Sequence, residues 1–225
     1  MPHLASNTRI TALLLCWLCF TAASALADSP TSNATHVVAL RSEIATLADN
    51  LRTHHPRPFA HIPEADFDAL ARRLIDRVDA QTTQRDMLWA FSELIASIGC
   101  AHTTLPYFNQ EDALIPPPAR FPAHVALVDE RLYVVDPLGN GAGLARGDEI
   151  TAINGVPAPS LVAEALRHVP ADGNNPHYRR GMFQFFATSY LTYALQFPAR
   201  YTVKVAGKPA PIPLEPLDAF EHRPI

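Results

Sequence analysis

The sequence predicts an α+β fold: a three-helix unit followed by a small β-sheet unit that carries a helical insertion. Two observations carry that prediction. From Val37 to Ile98 apolar residues recur every three or four positions, the period of helices with one buried face. From Phe121 to Val135, and again from Tyr201 to Val205, they alternate with more polar ones, the period of half-buried strands. Pro116-Pro117-Pro118 lies between the two regimes and reads as a stiff, extended linker. With 225 residues, 48% of them hydrophobic, the chain has enough apolar surface for an ordinary core. A formal net charge of -4 with 18% charged residues leaves no basic surplus to track phosphates, so nucleic acid is not an expected partner.

The first residues read as an address. Arg9 supplies a positive charge, residues 10–23 are almost wholly apolar, and Ala25-Leu26-Ala27 before Asp28 is the small-x-small pattern cut by signal peptidase. The apolar run falls short of the ~20 residues that span a bilayer. A cleaved signal peptide over 1–27 is therefore expected, with a periplasmic or secreted mature chain and no integral membrane segment after cleavage. Cleavage removes Cys16 and Cys19, which leaves Cys100 as the single thiol and excludes an intramolecular disulfide or a cysteine-rich zinc site. Cys100-x-His102 is at most half of a metal site, because spacing identifies no partners for it. The expectation is a buried structural thiol, with no metal and no cofactor.

Three helices fill the helical unit, residues 28–115. Val37, Leu40, Ile44, Leu47 and Leu51 form one stripe, which stops before Pro56. Pro63 opens a second helix, with the stripe Phe67, Leu70, Leu74, Ile75 and Val78. Thr83 followed by Asp86 is a capping pair for a third, which carries Leu88, Phe91, Leu94, Ile95 and Ile98 and ends at Gly99. Between the first two, the prolines around His54, His55 and His61 force extended backbone, so these histidines lack helical ligand spacing and read as solvated.

The sheet unit, residues 116–206, opens with a hairpin whose turn is Asp129-Glu130. Further on, Gly147-Asp148 makes a turn, Ile150 and Ile153 flank a short strand, and Asn154-Gly155 supplies the positive φ of the next turn. A helix is expected over 160–168. In the insertion, about 172–197, Asn175 caps a helix that has Pro176 at its first position. Its dense aromatic residues suit either a core or a docking face. The strand at 201–205 closes the sheet, and 207–225 is a proline-rich tail without periodicity.

The string from Gly143-Leu144 through Gly147-Asp148-Glu149-Ile150 to Ile153-Asn154-Gly155-Val156-Pro157 resembles the core signature of bacterial PDZ-like domains. A helical unit that ends in Ile98-Gly99-Cys100-Ala101-His102-Thr103-Thr104-Leu105 and precedes such a domain resembles the tail-specific, or C-terminal-processing, serine peptidases of the tricorn-core type (serine peptidase family 41). That family closes its helical domain with a Gly-Asp-Gly-His-Thr-like string; here Cys100 replaces the acid and Ala101 the second glycine.

The resemblance implies that a peptide's C-terminal strand adds to a sheet edge beside a helix. Its peptide-binding residues would be Phe121, Ala123 and Val125 on one side and Leu161, Ala165 and His168 on the other. Residues 121–123 would form the carboxylate loop, from which Pro122 removes one N–H donor. The same residues also read as plain core contacts between a strand and its helix. His102 is open to two readings, shaping the cleft or hydrogen-bonding loop carbonyls at a helix end.

The family's chemistry resembles a serine activated by a lysine four residues on, or by a histidine. Four positions before Lys204 and Lys208 stand Arg200 and Lys204, so no catalytic residue is assigned. The expected function is a non-catalytic N-terminal part of an exported serine peptidase, truncated or split. It would capture unfolded protein or peptide C-termini for a separately encoded catalytic domain. The other reading is a free-standing periplasmic PDZ-like peptide-binding or adaptor module.

Overall fold

Three helices take up the apolar stripes of the first half: α1 (Pro30–His54), α2 (Glu64–Arg77) and α3 (Gln84–Ser97). The computed structural model describes residues 30–105, 113–173 and 175–219, so the expected signal peptide at 1–27 lies outside the described residues. Proline at 56 lacks an N–H and disfavours helix before it, and α1 stops two residues ahead of it. At α2 the Pro63 carbonyl accepts the Asp66 and Phe67 N–H groups at 3.0 Å, and Glu64 and Asp66 complement the helix dipole. For α3 the expected cap forms as a full box: the Asp86 carboxylate accepts the Thr83 N–H at 2.8 Å, and the Thr83 hydroxyl accepts the Asp86 N–H at 3.3 Å. Ile44, Leu51, Phe67, Leu74, Leu94 and Ile98 interlock as the buried core of these helices. Each such side chain contributes about 1.5–3 kcal/mol by leaving water.

Past Pro116, which is extended as expected, Pro117–Ala119 close one turn of 3-10 helix, because proline's fixed φ serves either conformation. That turn carries Arg120 inside, where its Nη1 donates to Ser189 Oγ at 2.7 Å.

The sheet has six antiparallel strands: β1 (His124–Val128), β2 (Arg131–Asp136), β3 (Glu149–Ile153), β4 (Val156–Pro157), β5 (Tyr201–Val205) and β6 (Ile212–Leu214). Its order is β1-β2-β3-β5-β6, with β4 folded back on β3 as a hairpin. Asp129 and Glu130 (φ +47° and +63°) turn the first hairpin and Asn154 and Gly155 (+48° and +80°) turn the second, the mirror-image geometry that matches strand twist. Strand β6 corrects the reading of 207–225 as a featureless tail. Ile212 and Leu214 pair with Val203 and Tyr201, and the Asn140 side chain holds the next residue, accepting the Glu215 N–H at 2.7 Å. Three residues with Pro213 among them show no period, and an edge strand tolerates the proline.

Helix α4 (Ala158–Leu166) starts two residues earlier than expected. The insertion forms two helices rather than one, α5 (Pro176–Phe185) and α6 (Ala187–Ala194), broken at Phe186 where φ is −116° and ψ 23°. Asn175 caps α5 as expected, accepting the Tyr178 N–H at 3.1 Å. Helix α6 packs on both α4 and β1, so Phe183, Phe186, Tyr190, Leu191 and Tyr193 belong to the core of the sheet unit. Among the described residues no helix is long and apolar enough to cross a membrane.

Candidate functional site

Three places in the fold hold the candidate residues. The first is the buried core that β1 and α4 share. Phe121, Ala123, Val125, Leu161, Ala165 and His168 are each at most 3% exposed, so they line no open groove. Five of them are members of one buried core. Side chains of the insertion take up backbone donors on this side. Gln184 Oε1 of α5 accepts the outward N–H of Leu127 in β1 at 2.9 Å, and Thr192 Oγ1 of α6 accepts the Phe121 N–H of the expected carboxylate loop at 2.9 Å.

The second place is the seam between helices and sheet, where His168 lies. Its ring stacks on Trp89 of α3 with centroids 3.3 Å apart and planes 9° apart. Nδ1 is 2.8 Å from Ser92 Oγ, and Nε2 is 3.4 Å from Glu164 Oε1. Serine, histidine and acid thus meet in one place, with the two ring nitrogens exchanged relative to a serine-protease triad. Ser92 and His168 are 2% and 1% exposed, however, and no substrate carbonyl can reach the hydroxyl. Burial pushes the His168 imidazole below the usual histidine range, with the Glu164 bond opposing it. The bond from His168 in turn holds the Glu164 carboxyl below the usual carboxylate range. Nδ1 also lies 3.0 Å from the Trp89 carbonyl oxygen, and the Ser92 hydroxyl donates to that same oxygen at 2.7 Å. Arg167 extends the seam, its Nε lying 3.4 Å from Glu93.

The third place is open. Just past α1, past α3 and ahead of α5, three loops meet around a cleft of about 410 Å³ whose lining includes His55, Ile98, Cys100, His102, Thr103 and Asp172. Two hydrogen bonds clasp the last two loops together: Gly173 N–H donates to Gly99 O at 2.9 Å and Ala101 N–H to Asp172 Oδ1 at 2.8 Å. His61 packs on both glycines. A Cβ on Gly99 would lie 2.9 Å from His61 Cβ, and the φ of +69° disfavours a side chain there as well. The Cys100 thiol is pulled down to about 6, first by a hydrogen bond from the His55 side chain, then by the Thr103 hydroxyl and nearby backbone groups. His102 stands 89% exposed with Nδ1 4.0 Å from Asp172 Oδ1, the carboxylate side chain being 66% exposed. It lines the cleft.

Sequence reasoning missed His55 and Asp172. The prolines around His55 read as a solvated loop, and Asp172 meets Ala101 across 71 residues, a separation that leaves no local signal. Neither lysine serves the cleft chemically: Lys208 Nζ donates to Asp148 at 2.7 Å, away on the sheet, and Lys204 lies on β5.

No protein-family model and no curated protein matches the chain. Solved structures do. A mutant of CPAF, a chlamydial serine protease, aligns with 80% of this chain and 34% of its own at 12% identity and a TM-score of 0.50. The likeness is one of fold, at low identity and over part of that protein. Mature CPAF complexed with lactacystin aligns over 80% of this chain and 35% of its own, at 12% identity and a TM-score of 0.48. The present chain thus spans about a third of that protein's length. The first likeness bears on the fold alone and does not show the tail-specific family that the order of parts implied.

Proposed function

We propose that the chain is a non-catalytic, peptide-holding part of an exported serine-peptidase-like protein, built from a helical unit and a PDZ-like sheet unit. In this reading it takes the C-terminal ends of peptides or unfolded protein in the Cys100 cleft, not along β1. One observation carries the reading: of the two surfaces, the β1 side is filled by α5 and α6 while the cleft is open. Pro56, Ala60 and Ile98 give the cleft an apolar wall for a terminal side chain, and Arg57 stands ready for its carboxylate. Hydrolysis needs a nucleophile and a base within reach of a substrate. The Ser92–His168 pair has the reach but is buried, so a separately supplied catalytic part would do the chemistry. Export rests on the Ala25-Leu26-Ala27 site.

Fluorescence anisotropy with a labelled peptide ending in an apolar residue tests this. Binding without turnover is expected, weakened about tenfold by Arg57→Glu or by amidating the peptide, the equivalent of one charge-assisted hydrogen bond. Turnover by the purified chain, or binding indifferent to both changes, would overturn the reading.

A further inference from the structure

We propose that Cys100, His102 and Asp172 form a binding site for a divalent ion of the zinc class, with its fourth position open to the cleft. The Cys100 sulfur, a His102 ring nitrogen and an Asp172 carboxylate oxygen all lie within 4.8 Å of one another. A tetrahedral zinc ion sets such donors roughly 3.4–3.6 Å apart, given its bond lengths to sulfur, nitrogen and oxygen. The His102–Asp172 separation of 4.0 Å is already close to that spacing. Both side chains are exposed, so rotation about their own bonds closes the remainder without moving backbone.

The donor set selects the class of ion. A thiolate beside an imidazole and a carboxylate suits zinc or cobalt, whereas calcium and magnesium take oxygen donors alone. Three protein ligands with one open side is the arrangement of zinc sites that keep a place for water or a further ligand.

The loops that bear the ligands are fixed before any ion arrives. Gly173 N–H to Gly99 O ties the Cys100 loop to the Asp172 loop, and Ala101 N–H orients the Asp172 carboxylate by bonding Oδ1. The His55 imidazole supports the sulfur by a hydrogen bond: its Nδ1 accepts the Arg57 N–H at 3.2 Å, which places the ring proton on Nε2 as a donor. The cleft provides the way in. This inference stands independently of peptide binding, since it rests on the three donors and their supports.

The test uses the purified chain without a histidine tag, stripped with chelator and then titrated with Co²⁺ and Zn²⁺. One equivalent of Co²⁺ is expected to give a thiolate-to-cobalt charge-transfer absorption that Zn²⁺ abolishes by displacement. Cys100→Ser is expected to remove that absorption. His102→Ala and Asp172→Asn should each weaken Zn²⁺ binding by at least roughly tenfold in competition with a chelating dye, the lower end of what even supporting residues contribute. His177→Ala, at an exposed histidine of α5, should leave affinity unchanged, and circular dichroism reports that every variant is folded. Absence of the charge-transfer absorption, or Zn²⁺ affinity in the ligand variants unchanged from the unsubstituted chain, would overturn the proposal.

Discussion

The side of β1 and the Cys100 cleft are both places where a sheet or helix end offers backbone donors, and the molecule treats them in opposite ways. Beside β1 the donors are used internally: Leu127 N–H goes to Gln184 and Phe121 N–H to Thr192, under aromatic side chains that belong to the core. Around the cleft, backbone bonds hold the loops to each other, while His102 and Asp172 stay in solvent. The difference teaches that α5 and α6 act as the permanent occupant of the sheet unit. Stability is concentrated on the first side and free chemistry on the second.

The largest expected effect follows from that filling. Phe183→Ala, in the core between α5 and the sheet, should cost about 3–5 kcal/mol in a urea unfolding experiment. His102→Ala in the cleft should stay within about 0.5 kcal/mol, as exposed changes do. Similar losses for the two would erase the contrast. Next comes Thr192→Val, which keeps the shape but strands the buried Phe121 N–H; a loss of about 1–3 kcal/mol is expected by the same measurement.

The seam provides a pH-dependent comparison. His168 has a folded pKa below the unfolded value of about 6.5, so the unfolded chain binds its proton first and stability rises with pH through that window. The contribution is complete above about pH 6.5 and is lost as the pH falls through the lowered folded value. Glu164, also lowered, adds a further loss below the ordinary carboxylate range. Urea midpoints measured from pH 8 to 5 should fall with acid, and His168→Gln should flatten the upper part of that slope.

Local signals made much of this fold legible. Thr83 with Asp86, Asn175 with Pro176, and the Asn154-Gly155 turn each lie within a few residues, and each forms as the sequence implies. That Phe121, Val125, Leu161 and Ala165 could all be core was also legible, and each is buried. That the face is closed was not, because an aromatic-rich stretch such as 182–197 reads alike as core or as docking surface. The clasp between Gly99 and Gly173, and the bond from Glu215 N–H to Asn140 that follows β6, join distant segments, and only the folded backbone brings them together. The cleft followed the same rule: Cys100-x-His102 was visible, while its companions His55 and Asp172 come from other loops.

The smallest effect on stability is expected at the thiol. In chelator-treated protein, alkylation of Cys100 should reach half its maximal rate near pH about 6, because the His55 hydrogen bond favours the thiolate. His55→Ala should move that midpoint toward the ordinary thiol range of about 8.5 without changing the urea midpoint.

The most direct test of the central claim, that the cleft and not the β1 side meets a peptide, is an amide chemical-shift titration of isotope-labelled protein with an apolar-ended peptide. Shifts are expected to concentrate at Gly99, Cys100, Thr103 and Gly173. Shifts running along Val125 to Val128, with loss of the Leu127–Gln184 hydrogen bond, would contradict it.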